Sequence, residues 1–335
     1  MTFLRRGGAP LVAAGILLSR VAGLIRQRVL SHYLGLTIPA DAFNQAFRIP
    51  NFLQNLFGEG VLSASFIPAY TRLRAEGREQ EARRLAGAVL GMLSLLVAVL
   101  VALGVTTAHW LVHVLAPGWS GAKYDLTVRL VRILFPGVGL LVLSAWCLSV
   151  LNSHRRFFLS YAAPVVWNAA IIAATMLAPG GVALERLVIW VAWGAVAGGV
   201  LQLLVQLPRT RMLLGGLRPA LGRGDPAVRA VFRNFLPAFV TRGITQISAF
   251  IDGVLASLLP HGAVTALANA QTLYTLPVSL FGMSVAAAEL PELSAAAAAG
   301  AGAHPALRAR LDLGRRRVAF FVVPTVVAFL LLGEV

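Results

Sequence analysis

The sequence predicts an all-α protein that crosses a lipid bilayer about nine times. Three observations carry that expectation. Hydrophobic residues make up 58% of the 335-residue chain and charged residues only 13%, with a mean hydropathy of +0.78; this balance suits hydrocarbon rather than water. Apolar runs near or above the roughly 20 residues that span a bilayer recur along the chain, with short polar segments between them. Basic residues, finally, are unevenly placed. About 20 of the 29 Lys and Arg residues sit in the N-terminus and in alternate loops, at Arg5 and Arg6, Arg72 to Arg84, Arg155 and Arg156, Arg209 to Arg233 and Arg308 to Arg317. That alternation follows the positive-inside rule and places the N-terminus and these loops in the cytoplasm. The net charge of +16 is therefore topological, and a nucleic-acid partner is not expected.

The first expected helix covers residues 9–30. Arg5 and Arg6 ahead of its apolar stretch imitate a signal peptide, but no small-residue cleavage site precedes Arg26 and Arg28, so the helix is read as uncleaved. Further helices are expected over 42–70, 85–115, 126–151, 160–178, 184–207, 233–259, 262–290 and 318–332. Cys147, the one cysteine, falls inside the fourth and gives neither a disulfide framework nor a metal cluster.

Two parts of the chain resemble each other. Arg20 answers to Arg242, and residues 42–68 answer to 268–291, with Pro50 against Pro277, Phe57-Gly58 against Phe281-Gly282 and Pro68 against Pro291. Each copy continues into a basic amphipathic stretch and another apolar run. The expected organisation is a six-helix lobe over 1–208, a basic cytoplasmic linker over 209–232 and three helices of a second lobe over 233–335. If the second unit matches the first, it is incomplete within this sequence.

Candidate functional residues are charges placed within apolar spans. On an ideal wheel, Arg20, Gly23, Arg26 and Gln27 share one face of the first helix, opposite Leu17, Val21 and Leu24. A charge at the centre of a span costs about 2.5 to 3.5 kcal/mol on insertion scales, so such arginines face protein or a watery cavity. Helix 2 carries a stripe of Asp41, Asn44, Gln45, Arg48, Asn51, Asn55, Glu59 and Ser63. That stripe faces either a cavity or a hydrogen-bonded seam between helices, and Asp41 and Glu59 are candidate counter-ions for the arginines. The seventh helix adds Arg242, Thr245, Gln246 and Asp252. A guanidinium keeps its proton and offers five donors in a planar fork, so several around one cavity suit a phosphate or pyrophosphate. Asp252 in a cavity suits a cation. No HExxH, GxSxG or P-loop pattern occurs, and the histidines are scattered, so no enzyme chemistry is indicated.

SRVAGLIRQRVLSHYLGLTIPADAF (19–43), FRIPNFLQNLFGEGVLSASFIPAY (47–70) and LPVSLFGMSVAAAELPELS (276–294) resemble segments of the MurJ (MviN) lipid II flippase family. This is a branch of the multidrug/oligosaccharidyl-lipid/polysaccharide exporter superfamily, abbreviated MOP. The resemblance implies a two-lobe helix bundle in the bacterial inner membrane that moves lipid-linked peptidoglycan precursor outward by alternating access. The implied partners are the lipid-linked pyrophosphate substrate, membrane lipids and the cell-wall synthesis machinery. Arg20, Arg26 and Asp41 fall where the family keeps required charges. Two further cavity arginines of the family fall on Gln54 and Thr272, so Arg48 and Arg242 are expected to supply the missing charge. Asp252 resembles an acidic sodium ligand of the family, which implies Na+ as coupling ion, but the other ligands would lie on helices after Val335. Other readings are a sister exporter of polysaccharide lipids or drugs, an intramembrane phosphatase, and a non-transporting fragment.

Overall fold

The computed structural model describes residues 8–57, 59–217, 219–220, 226–277 and 304–332. Eleven helices lie among the described residues: α1 (Gly8–Leu34), α2 (Ile38–Phe57), α3 (Glu59–Ala75), α4 (Glu79–Thr106), α5 (Ala108–Leu115), α6 (Gly121–Ser153), α7 (Phe157–Met176), α8 (Leu184–Leu214), α9 (Pro226–Ser257), α10 (Ala263–Pro277) and α11 (His304–Leu332). The chain forms two compact units, Met1–Leu267 and Ala268–Val335.

Several expected boundaries move. The span expected over 42–70 is two helices, α2 and α3. The span expected over 85–115 is also two, because α4 stops at Thr106. There the hydroxyls of Thr106 and Thr107 donate to the carbonyls of Ala102 and Leu103, a competition with the helical ladder that favours bending or termination. At the other end of the chain, the basic stretch 304–317 and the apolar run 318–332 join into one 29-residue helix, α11. Positions 278–290 of the expected eighth helix, with Phe281, Gly282 and Pro291 of the repeat, lie outside the described residues.

Among the described residues, four helices, α4, α6, α7 and α8, are long and apolar enough to cross a membrane; part of the eighth of the nine expected spans lies outside those residues. Helices α1 and α9, with 27 and 32 residues, exceed the roughly 20 residues that suffice but carry Arg20, Arg26 and Arg28, and Arg242 and Asp252, within their length.

In the first unit α6 is central, packed by α2, α3, α4, α5, α7 and α8, while α1 lies on α7 and α9 on α3 and α2. Its core has two main parts. One gathers Phe43, Phe47, Leu130, Trp167 and Val188; the other gathers Leu62, Phe66, Leu85, Val89 and Trp146. One buried polar cluster joins α6 to α8: Ser144 Oγ donates to Gln206 Oε1 (2.7 Å) and accepts from Gln202 Nε2 (2.8 Å). Leu95, Leu103, Trp190, Trp193 and Leu204 point outward, as residues facing lipid do.

The turn after α1 sets up the site. Gly35 adopts φ +56°, a left-handed value at which a residue without Cβ closes a helix at little cost. Two residues later the Thr37 hydroxyl donates to the Leu34 carbonyl (2.8 Å) and accepts from the Ala40 amide (3.4 Å). One side chain thereby closes α1 and opens α2, placing Asp41 in the first turn of α2.

Candidate functional site

Helix α2 presents the polar stripe the sequence indicates, and each described member of it reaches another helix. Asp41 is fully buried. Its Oδ2 accepts from Lys123 Nζ of α6 and from the Gly262 amide, both at 2.8 Å, and its Oδ1 accepts from the Thr265 amide (3.0 Å) and hydroxyl (2.7 Å). Because α10 begins at Ala263, this carboxylate caps α10 from another helix, satisfying amides that have no partner inside α10. Asn44 Nδ2 donates to Thr265 Oγ1 at 3.3 Å, and Gln45 Nε2 donates to the Leu115 carbonyl at the end of α5.

The counter-ion of Asp41 is thus Lys123, not an arginine. Lys123 was not singled out from the sequence, yet one signal marks it: it is the chain's single lysine among 29 basic residues. Its ammonium also lies 4.0 Å from the Trp119 ring centroid, an additional cation-π contact.

Arg26 of α1 occupies a different setting. Its guanidinium carbon lies 5.3 Å from the Phe47 ring centroid on α2 and 5.4 Å from that of Trp167 on α7. Those two rings stack on each other at 5.4 Å, and Trp167 is fixed by donation from its indole N–H to the Ala195 carbonyl of α8 (2.9 Å). Arg26 Nε is buried without a hydrogen-bond partner. Arg20, six residues earlier on the same helix, is exposed and does not share the aromatic setting.

Arg48, seven residues after Asp41, lies against α9. A Cβ at Gly253 would stand 2.7 Å from one of its terminal guanidinium nitrogens and 3.0 Å from Cζ, so the absence of a side chain at Gly253 lets the cation approach the helix. The neighbouring Asp252 is exposed and exerts its field on Arg48. The side chains of Glu59, Arg242 and Gln54 lie outside the described residues. The Thr272 hydroxyl donates to the Ala268 carbonyl (3.0 Å).

No group of three His, Cys, Asp or Glu side chains suited to a metal ion occurs among the described residues. Among the described residues Asp252 offers one carboxylate with a cationic neighbour, Arg48, fewer oxygen ligands than a sodium ion needs.

The family model for Lipid II flippase MurJ matches residues 30–335. The chain belongs to the MurJ lipid II flippase family. It is 35% identical over 324 residues to "Lipid II flippase MurJ" of Burkholderia cenocepacia, covering 95% of this chain and 62% of that relative. It is 32% identical over 337 residues to "Probable lipid II flippase MurJ" of Vibrio cholerae, covering 97% of this chain and 63% of the relative. The chain therefore spans less than two thirds of the length of either. Among solved structures, "Lipid II flippase MurJ, inward closed conformation" aligns with a TM-score of 0.80 at 24% identity over 96% of this chain and 65% of the other. An inward-facing multidrug resistance MATE family transporter of the MOP superfamily aligns at 0.70 and 16% over 93% and 70%. At these identities the structural matches speak for the fold, which is that of the MOP exporters. Family membership and the apolar helices make the chain a multi-pass protein of the bacterial inner membrane.

Proposed function

We propose that this chain serves a lipid II flippase, carrying lipid-linked peptidoglycan precursor from the inner to the outer leaflet by alternating access, with its N-terminus in the cytoplasm. Arg26 is the observation that carries the reading. A guanidinium held against a stacked pair of rings inside an apolar bundle, with a buried N–H that has no partner, is a costly group unless an anion completes it. A pyrophosphate offers several acceptors for a planar fork of donors. Arg20 and Arg242 are assigned to the same headgroup by resemblance, and Arg48 by its position on the polar face of α2. The reaction is transport and needs no chemistry on the lipid. The cell-wall synthesis machinery is the partner such cargo implies.

Depletion rescue tests the reading. The gene is expected to replace a depleted bacterial lipid II flippase, and Arg26→Ala to abolish rescue while the protein still reaches the membrane. Losing a charge-assisted hydrogen bond should weaken lipid II binding by about tenfold or more. Purified protein that binds other polyprenyl-pyrophosphate glycans in preference to lipid II would favour the sister exporter, and unimpaired translocation by Arg26→Ala would defeat the assignment of Arg26.

A further inference from the structure

Helices α1, α2 and α10 meet at a small pocket beside the Asp41 seam. Gln27 and Ser31, one turn apart on α1, line it with Asn44 of α2 and Thr265 of α10, and Leu34 and Phe43 supply part of its apolar wall. The pocket leaves about 10 Å³ for the centre of a water molecule, close to the least that holds one water and too little for two.

The hydrogen bonds around the pocket say what it accepts. Asn44 uses both amide hydrogens, on the Ala40 carbonyl (3.0 Å) and on the Thr265 hydroxyl (3.3 Å). A carbonyl only accepts, which fixes the orientation of the amide and leaves Oδ1 as the acceptor. The Thr265 hydroxyl gives its one hydrogen to Asp41 Oδ1 (2.7 Å) and accepts from Asn44, so one lone pair remains. Helices α2 and α10 thus offer two acceptors, while the Ser31 hydroxyl and the Gln27 amide of α1 can each donate or accept. Oxygens so placed suit a water or a small cation, and charge separates the two. Asp41 is already matched by Lys123 at 2.8 Å, and Gln27 directly follows the cationic Arg26. A metal ion would add a buried charge with no counter-ion, whereas water brings two donors and none.

We propose that one ordered water occupies this pocket, donating to Asn44 Oδ1 and Thr265 Oγ1 and bonded to α1 through Ser31 or Gln27. Asp41 holds α6 and α10 by charge, and the helix that carries Arg26 joins the same seam through a neutral bridge. Such a bridge is nearly as favourable in enthalpy as a direct hydrogen bond. It re-forms with any other water, so α1 can part from α2 and α10 without breaking the ion pair.

Radiolytic footprinting tests the site. Leu34 and Phe43 are 3% and 1% exposed, shielded from radicals formed in bulk solvent but in contact with radicals formed from a water in the pocket. Brief X-ray irradiation of the full chain in vesicles, read by peptide mass spectrometry, is expected to oxidise both more than Leu85 and Ile171, equally buried elsewhere. The excess should be the same in sodium chloride and in choline chloride. It should be lost in Ser31→Val, whose added methyls fill the pocket, with the unfolding temperature near that of the parent. Oxidation of Leu34 and Phe43 no greater than that of Leu85 and Ile171 overturns the proposal, whether or not the variant folds. An excess that appears only in choline chloride would assign the pocket to a metal cation and overturns it as well. So does an excess that persists in a well-folded Ser31→Val protein.

Discussion

Asp41 shows how much one side chain holds. It joins α2 to α6 through Lys123 and to the start of α10 through Gly262 and Thr265, and the side chains of the ion pair are 1% and 10% exposed. Removing one partner of a buried pair leaves an uncompensated charge and costs about 3 to 5 kcal/mol. Asp41→Asn is therefore expected to lower the thermal unfolding temperature in detergent markedly, and adding Lys123→Met should restore part of the loss. An Asp41→Asn protein as stable as the parent would refute this account. A second residue, His154, gives a pH dependence. Its ring shares a 2.9 Å hydrogen bond with the Tyr70 hydroxyl at the turn between α6 and α7. Burial, helped by the cations Arg74 and Arg156 and opposed by Glu79, holds its pKa below the ordinary imidazole value. The folded state thus favours the neutral ring. Its contribution to stability is complete above about pH 6.5, the unfolded value, and is lost as pH falls below it. Unfolding temperatures between pH 8 and pH 5 should decline less in His154→Gln than in the parent.

At the scale of elements, α2 is the organising helix. Its stripe of Asp41, Asn44, Gln45 and Arg48 was legible in the sequence because the spacing i, i+3, i+4, i+7 is a property of one helix. The partners of that stripe were not, since Thr265, Leu115 and Gly253 lie on other helices and no local pattern ties them to α2. Up to Arg48 the stripe behaves as a seam between helices, one of the two readings the sequence allowed. The close approach of α2 and α9 depends on Gly253. Gly253→Ala would bring a methyl within 2.7 Å of the Arg48 guanidinium, and the flexible arginine is expected to yield rather than the helices. Gly253→Ala should therefore keep its thermal stability within about 1 kcal/mol while weakening lipid-linked pyrophosphate binding. A binding isotherm unchanged from the parent would show that the position of Arg48 is immaterial.

For the whole molecule, orientation in the membrane is the property to measure. Cys147 is 1% exposed, so a cysteine placed on the surface can be read against a silent background. Arg78→Cys, in the basic turn between α3 and α4, is expected to resist a membrane-impermeant maleimide in intact cells and to react after lysis. Trp110→Cys, at a site 65% exposed on α5, is expected to react in intact cells. The reverse pattern would invert the topology that the arginine distribution predicts.

The sequence by itself determined that the chain is helical, that its solvent is lipid and which helices carry charge inside the membrane, because hydropathy, helical period and the cost of a charge in hydrocarbon are set by residues within a few turns of one another. Only the tertiary structure decided that Asp41 pairs with Lys123 rather than an arginine, that Phe47 and Trp167 frame Arg26 while Arg20 is exposed, and that Arg48 rests on Gly253. Those pairs join residues from 82 to 224 positions apart in the case of Asp41, and their identity follows from how helices pack, which requires the three-dimensional arrangement of side chains rather than the period of any single helix.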